Sequence, residues 1–205
     1  MIFCVADVPT VSFDTLYHVG TLNIKDKVAL NFEGANGLSI STAPNAWRRI
    51  NKGITKGSTF RFRKSNNTFI DANSIDDSLH QQFIQWGLDN QLLVSCQQYA
   101  YKYWDDEIDE ELVFYFDDED DAILEAEGEH DIYLVDTYKG TEKMSLIVGD
   151  ANKDNLTLVL VAYCCVTKLF DGVFWDCEVD VNRYQAPRGV IIQDKISTWS
   201  IDIVV

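Results

Sequence analysis

A chain of 205 residues, 46% apolar and 12% aromatic, is long enough to bury a hydrophobic core without staples. Its formal net charge of −16 repels phosphate backbones and anionic membranes. That excludes a broad basic face for nucleic acid and leaves basic proteins as the natural electrostatic partners. Cys4, Cys96, Cys164, Cys165 and Cys177 are odd in number and form no C-x-x-C pair, the pattern of a reduced, cytoplasmic protein. Residues 1–5 lack a basic n-region and are followed by Asp7 and Pro9, so no signal peptide is expected. No apolar run approaches bilayer length, and the N-x-T patterns at Asn66 and Asn155 carry no meaning in a cytoplasmic protein.

In chain order, residues 1–15 carry Pro9 and small polar residues and predict an irregular lead-in, with a strand starting near Thr15. Tyr17, His18, Val19, Gly20 and Thr21, followed by residues 37–42 with Ser39 and Ser41, gather a histidine, hydroxyls and glycines between apolar flanks. A histidine at the end of a short strand can present its ring to a ligand, and Gly20 permits close approach of the backbone. The alternative is a satisfied, partly buried His18 among ordinary strand-face serines. Residues 22–36, with Lys25-Asp26-Lys27 and Asn36-Gly37, predict a surface loop between two strands. Thr42 and Pro44 predict a helix start, with Trp47 and Ile50 on one face. Arg48 and Arg49 point elsewhere, as a solvated helix edge or as anion ligands.

Residues 59–63 alternate aromatic with basic, the period of a half-buried strand. Arg61 and Arg63 join Arg48, Arg49, Lys52, Lys56 and Lys64 in concentrating positive charge between residues 47 and 64. Such a segment suits a phosphate-bearing small ligand, or pairs with the acidic stretch downstream. Leu79, Phe83, Trp86 and Leu93 lie near helical spacing, with Asp76 or Asp77 as cap and Gly87 as an interruption or stop. His80 on that packing helix reads as a surface histidine. Tyr99, Tyr101 and Tyr103 predict a strand with an aromatic stripe, of the kind that usually lies in a core.

Residues 104–131 read as an acidic, insertion-like segment of a single domain covering residues 1–205. Fifteen acidic residues fall between 105 and 131, and no Lys or Arg stands between Lys102 and Lys139. Residues 112–116 predict a strand and 117–127 an acid-capped short helix. The segment either docks a basic partner, as an inhibitor or nucleic-acid mimic would, or is a solubilising surface. No calcium-loop pattern is present, and no metal site is expected. Residues 132–135, 144–148 and 156–166 predict strands joined by turns at Lys139-Gly140 and 149–152, the last of them buried. Residues 170–176 and 186–192 predict two further strands with a polar segment between them, and 199–205 a closing one. The expected class is α+β: one mixed or antiparallel, β-rich domain with a few short helices.

No Walker-type phosphate loop, G-x-S-x-G elbow or H-E-x-x-H helix occurs, and a His18–cysteine pair would have to be assembled by the fold. Residues 16–21, the run Gly37-Leu38-Ser39-Ile40-Ser41, a helix containing Ala46, and the late Phe170-Asp171-Gly172-Val173 with residues 189–192 resemble the ADP-ribosyltransferase-like fold. Trp175 and Ala186-Pro187-Arg188-Gly189 also resemble bacterial proteins sharing the opening pattern. The resemblance implies a split sheet and NAD as substrate. It implies that His18 hydrogen-bonds the ribose or carboxamide, that Tyr17, Gly20, Thr21, Ser39 and Trp47 line the pocket, and that Arg48 or Arg49 meets the diphosphate. It places Ser41, Asp176 and Arg188 with His18 as candidate catalytic groups. The family's late-strand glutamate, which stabilises the positive ribose as nicotinamide leaves, has no counterpart here; the region offers Asp176, Arg188 and Gln193. Two expectations follow: transfer of ADP-ribose from NAD to a protein or nucleic-acid target, or non-enzymatic binding of a basic partner through residues 105–131.

Overall fold

Strands buried on both faces need a layer on each side, and Gly172–Trp175 and Arg188–Ile192 are such strands. The computed structural model describes residues 7–20, 22–23, 28–29, 37–50, 57–106, 110–127, 131–149, 155–180 and 185–204. In order, its elements are β1 (Thr10–Val11), β2 (Leu16–Gly20), β3 (Leu22–Asn23), β4 (Val28–Ala29), β5 (Gly37–Ile40) and α1 (Pro44–Ile50). There follow β6 (Ser58–Arg63), β7 (Phe69–Asp71), a 3-10 turn (Ala72–Ser74), α2 (Asp77–Asp89), β8 (Leu93–Asp105), β9 (Glu110–Phe116) and α3 (Glu119–Glu125). The chain continues through β10 (Tyr133–Gly140), α4 (Glu142–Val148), α5 (Asn155–Thr167), β11 (Gly172–Trp175), β12 (Arg188–Ile192), α6 (Gln193–Ile196) and β13 (Ser200–Val204).

The central sheet runs β1-β7-β11-β12-β5 and is mixed, with β7 and β11 parallel. Ile70, Val173, Val190 and Ile192 pack from one face against Phe83 of α2, Met144 of α4 and the buried residues of α5. Phe69, Phe174, Ile191 and Leu38 pack from the other face against Leu16, Phe60 and Phe62 of a second sheet, β13-β6-β2. The two sheets join where the Tyr17 N–H donates to the Ser41 carbonyl and the Ser41 N–H to the Tyr17 carbonyl, both at 2.8 Å. A third sheet, β10-β8-β9, starts in the helical core at Leu93 and runs outward along the thirteen residues of β8. The α+β class, with mixed sheets and short helices, is as expected from sequence.

Several elements differ from expectation. Residues 156–166 are not a buried strand but the core of α5. Leu158 through Cys164 are all buried, so the helix has no polar face and shows no 3.6-residue period. Residues 144–148 are likewise helical: the Thr141 hydroxyl accepts the Met144 N–H, and the helix ends at Gly149 with φ 91°. Gly87 neither interrupts nor stops α2. Its missing side chain admits Leu93, whose Cγ would lie 2.9 Å from a Cβ there, and Leu93 opens β8 rather than closing the helix. Lys139 and Gly140 belong to β10 instead of a turn, residues 10–11 of the lead-in form a short strand, and α6 had no sequence forerunner.

Candidate functional site at the β2–β5 corner

β2 turns Leu16 and His18 inward and leaves Tyr17 and Val19 half-buried. His18 Nδ1 lies 2.8 Å from the Ser39 carbonyl, which only accepts, so Nδ1 carries a proton and donates it there. Nε2 faces Gly20, where an added Cβ would stand 3.1 Å away; φ at Gly20 is +150°. The ring lies 6.1 Å from Phe60, at the rim of the inter-sheet core. Here His18 fastens β2 to β5.

Ser41 is buried, and its hydroxyl donates to the Pro187 carbonyl while accepting the Ala43 N–H at 2.9 Å. Trp47 Nε1 donates to the same Pro187 carbonyl at 3.0 Å. This carbonyl ties α1 and the end of β5 to the start of β12. Sequence reading missed it because it is a backbone group more than a hundred residues from its donors. Arg48 reaches the buried Thr59 hydroxyl of β6 through Nε at 2.9 Å, a second contact not foreseen. Arg49 is exposed, and Arg188, half-buried, opens β12; neither has a partner among the described residues.

Directly opposed residues of an antiparallel pair share a face. Ser39 lies opposite Val190 and Gly189 opposite Ile40, so one step along the register sets Arg188 across from Ser41, which itself opposes Tyr17. Tyr17, Ser39, Ser41 and Arg188 therefore share one face of the corner, with the ring of His18 on the other. Asp176 is exposed after β11, and its backbone is held by Asn73, whose Oδ1 accepts its N–H at 2.8 Å. β11 is two strands from β5, about 10 Å. Gln193 sits at the far end of β12, about 16 Å along the strand from Arg188. Thr21, Lys52 and Lys56 lie outside the described residues.

The basic segment does not pair with the acidic stretch among the described residues. Arg61 and Arg63 reach Asp202 of β13 at 3.2 and 2.5 Å, and Lys64 reaches Asp171 at 2.5 Å. The hydrogen bond from Arg61, aided by Arg63, holds the Asp202 carboxyl below the usual carboxylate range. A depressed folded-state pKa stabilises the fold above the unfolded pKa, and this contribution is lost as pH falls through the folded one. Melting curves of wild type and Asp202→Asn are thus expected to differ at neutral pH, with wild type higher. The gap closes as pH drops below the ordinary carboxylate range; a gap independent of pH would refute this assignment.

Burial pushes the Cys165 thiol up to about 11 and that of Cys164 well above its ordinary value. Both stand on α5, across the central sheet from His18, so neither serves it as a thiolate. No group of three or more His, Cys, Asp and Glu is placed to hold a metal among the described residues, and no described helix is long and apolar enough to cross a membrane. Against models of known protein families, curated proteins and solved structures, the chain finds no match.

Proposed function

We propose that the chain binds NAD at the β2–β5–β12 corner and transfers ADP-ribose to a protein or nucleic-acid target. The observation that carries this reading is the convergence of residues far apart in sequence: Tyr17, Ser39 and Arg188 on one face, with Trp47 and Arg48 fastened beside them. The likeness of both chain ends to ADP-ribosyltransferases supports it. Arg188 and Arg49 supply charge-assisted donors for a diphosphate in an otherwise acidic protein. His18 acts through the Ser39 carbonyl, holding the β5 wall in place. Ser41, committed to two backbone groups, does the same for β12. Asp176 is the carboxylate that the late strands offer at this end of the sheet, for the positive ribose formed as nicotinamide departs.

Calorimetric titration with NAD, paired with transfer of labelled ADP-ribose in a cell extract, tests the reading. Wild type is expected to bind NAD, and Arg188→Ala to weaken it at least about tenfold, the worth of one charge-assisted contact. Asp176→Asn is expected to keep binding and lose transfer. Absence of NAD binding by folded wild type, or an Arg188→Ala variant indistinguishable from it, overturns the proposal.

A further inference from the structure

The outer sheet carries a surface that the NAD reading does not use. Tyr99 opposes Phe116 on one side and Leu134 on the other, and Tyr101 opposes Phe114 one pair further along. These side chains therefore share one face, with Tyr103 the next residue on it. Tyr101 is stacked on Phe114 and Phe116, with ring centroids 5.2 and 5.8 Å away, so the row is preformed. Leu134, Tyr103 and Phe114 are nonetheless 52, 41 and 39% exposed. Asp117, which leads into α3, accepts hydrogen bonds from Gln98 and Lys139, both on the opposite face, so the helix starts there. Tyr101 at the centre of the row is itself buried, and a solubilising surface has no use for the large apolar side chains exposed beside it.

Charge selects the occupant. Phe114 and Phe116 of the row stand within the stretch that holds fifteen acidic residues between 105 and 131, and no Lys or Arg occurs from 103 to 138. On the row's own face stand Asp105, two residues after Tyr103 on β8, and the exposed Asp136 of β10, opposite Gln97; Glu119, Asp120, Asp121, Glu125 and Glu127 are exposed on and after α3, behind the sheet. A second copy of a chain of net charge −16, a nucleic acid and an anionic membrane are all repelled. We propose that this face docks a basic protein segment. Its arginines and apolar side chains lie on Tyr103, Phe114 and Leu134, and its remaining cations meet Asp105 and Asp136. The proposal stands independently of NAD binding.

The probe is a fluorescein-labelled peptide of about twelve residues alternating arginine and leucine, with an arginine–glycine peptide of equal charge as control. Fluorescence anisotropy is expected to show wild type binding the first at least about tenfold more tightly than the second, with affinity falling as salt rises. Tyr103→Ser/Phe114→Ser, at unchanged charge, loses that preference. Trp104→Ser/Tyr115→Ser, which removes exposed aromatics from the opposite face, keeps it. Leu134→Ser, on the edge strand, is an independent variant on the docking face should the double variant fail to fold. Equal affinity for the two peptides, or equal loss in variants of both faces, reduces the surface to bulk charge and overturns the proposal. A wild-type dimer in sedimentation that Leu134→Ser disperses gives the face to a second copy and overturns it equally.

Discussion

Gly172→Ala is expected to leave the chain unfolded or insoluble at 25 °C. A Cβ at this position would stand 1.7 Å from the Val190 carbonyl oxygen, 2.8 Å from its carbon and 3.2 Å from Ile191 Cα. Every one of these is backbone, so no rotamer change relieves the clash. Gly172 is paired with Ile191 on one side and Phe69 on the other, and β11 is the strand that connects β7 to β12. Moving it away from β12 breaks the ladder at the middle of the sheet and separates both cores. Its carbonyl also receives the Cys164 thiol at 3.4 Å, so displacement toward α5 is blocked too. The cost exceeds about 4 kcal/mol, the range reserved for a few severe mechanisms, against a total stability of about 5–15 kcal/mol. Val173→Ala, the adjacent core residue, is the control. It leaves a cavity costing about 2 kcal/mol and is expected to stay folded, with a cooperative melt by circular dichroism. A Gly172→Ala protein melting within a few degrees of wild type would refute the close-approach argument.

What could be read from sequence follows the physics of exposure. β6 was legible because Phe60 and Phe62 face the core while Arg61 and Arg63 face Asp202 near water, which leaves a period of two in the sequence. α2 was legible through its apolar stripe and Asp76, whose carboxylate caps the Leu79 N–H. α5 was not, because burial on all sides erases the period and its valines imitate a strand. For α4, the four apolar residues Met144, Leu146, Ile147 and Val148 masked the start chemistry of Thr141-Glu142 and the stop at Gly149. At the corner, His18, Ser39, Ser41 and Trp47 were visible as residue types, but the Pro187 carbonyl that joins two of them was not. Pairing choice was equally hidden: the register of β13 on β6 sets Asp202 directly opposite Arg61 and so takes both arginines from the acidic stretch.

Lys64→Met is expected to cost about 3 kcal/mol, as breakage of an ion pair whose acid is buried. Lys64 Nζ lies 2.5 Å from Asp171 Oδ1, with the two side chains 21 and 7% exposed. Asp171 Oδ2 accepts the Thr68 N–H at 3.0 Å, and the Asp171 backbone bonds to Thr68 and Ile192, so this carboxylate is held in place with little access to water. Lys64 also stands 5.8 Å from the ring centre of Trp199. Methionine keeps most of the apolar stem over that ring but leaves a buried anion with one described donor. In a chain of this size the loss corresponds to a fall in Tm of about 6–12 °C. Adding Asp171→Asn is expected to restore part of the stability, because a neutral amide needs no counter-charge while its oxygen still accepts from Thr68. That recovery separates a desolvated pair from a surface one, for which Lys64→Met costs under about 1 kcal/mol and the second substitution recovers nothing. High salt sharpens the distinction further. It screens the exposed Lys102–Glu111 pair on β8 and β9 and leaves Lys64–Asp171 largely untouched, so the Tm gap between wild type and Lys64→Met persists as ionic strength rises.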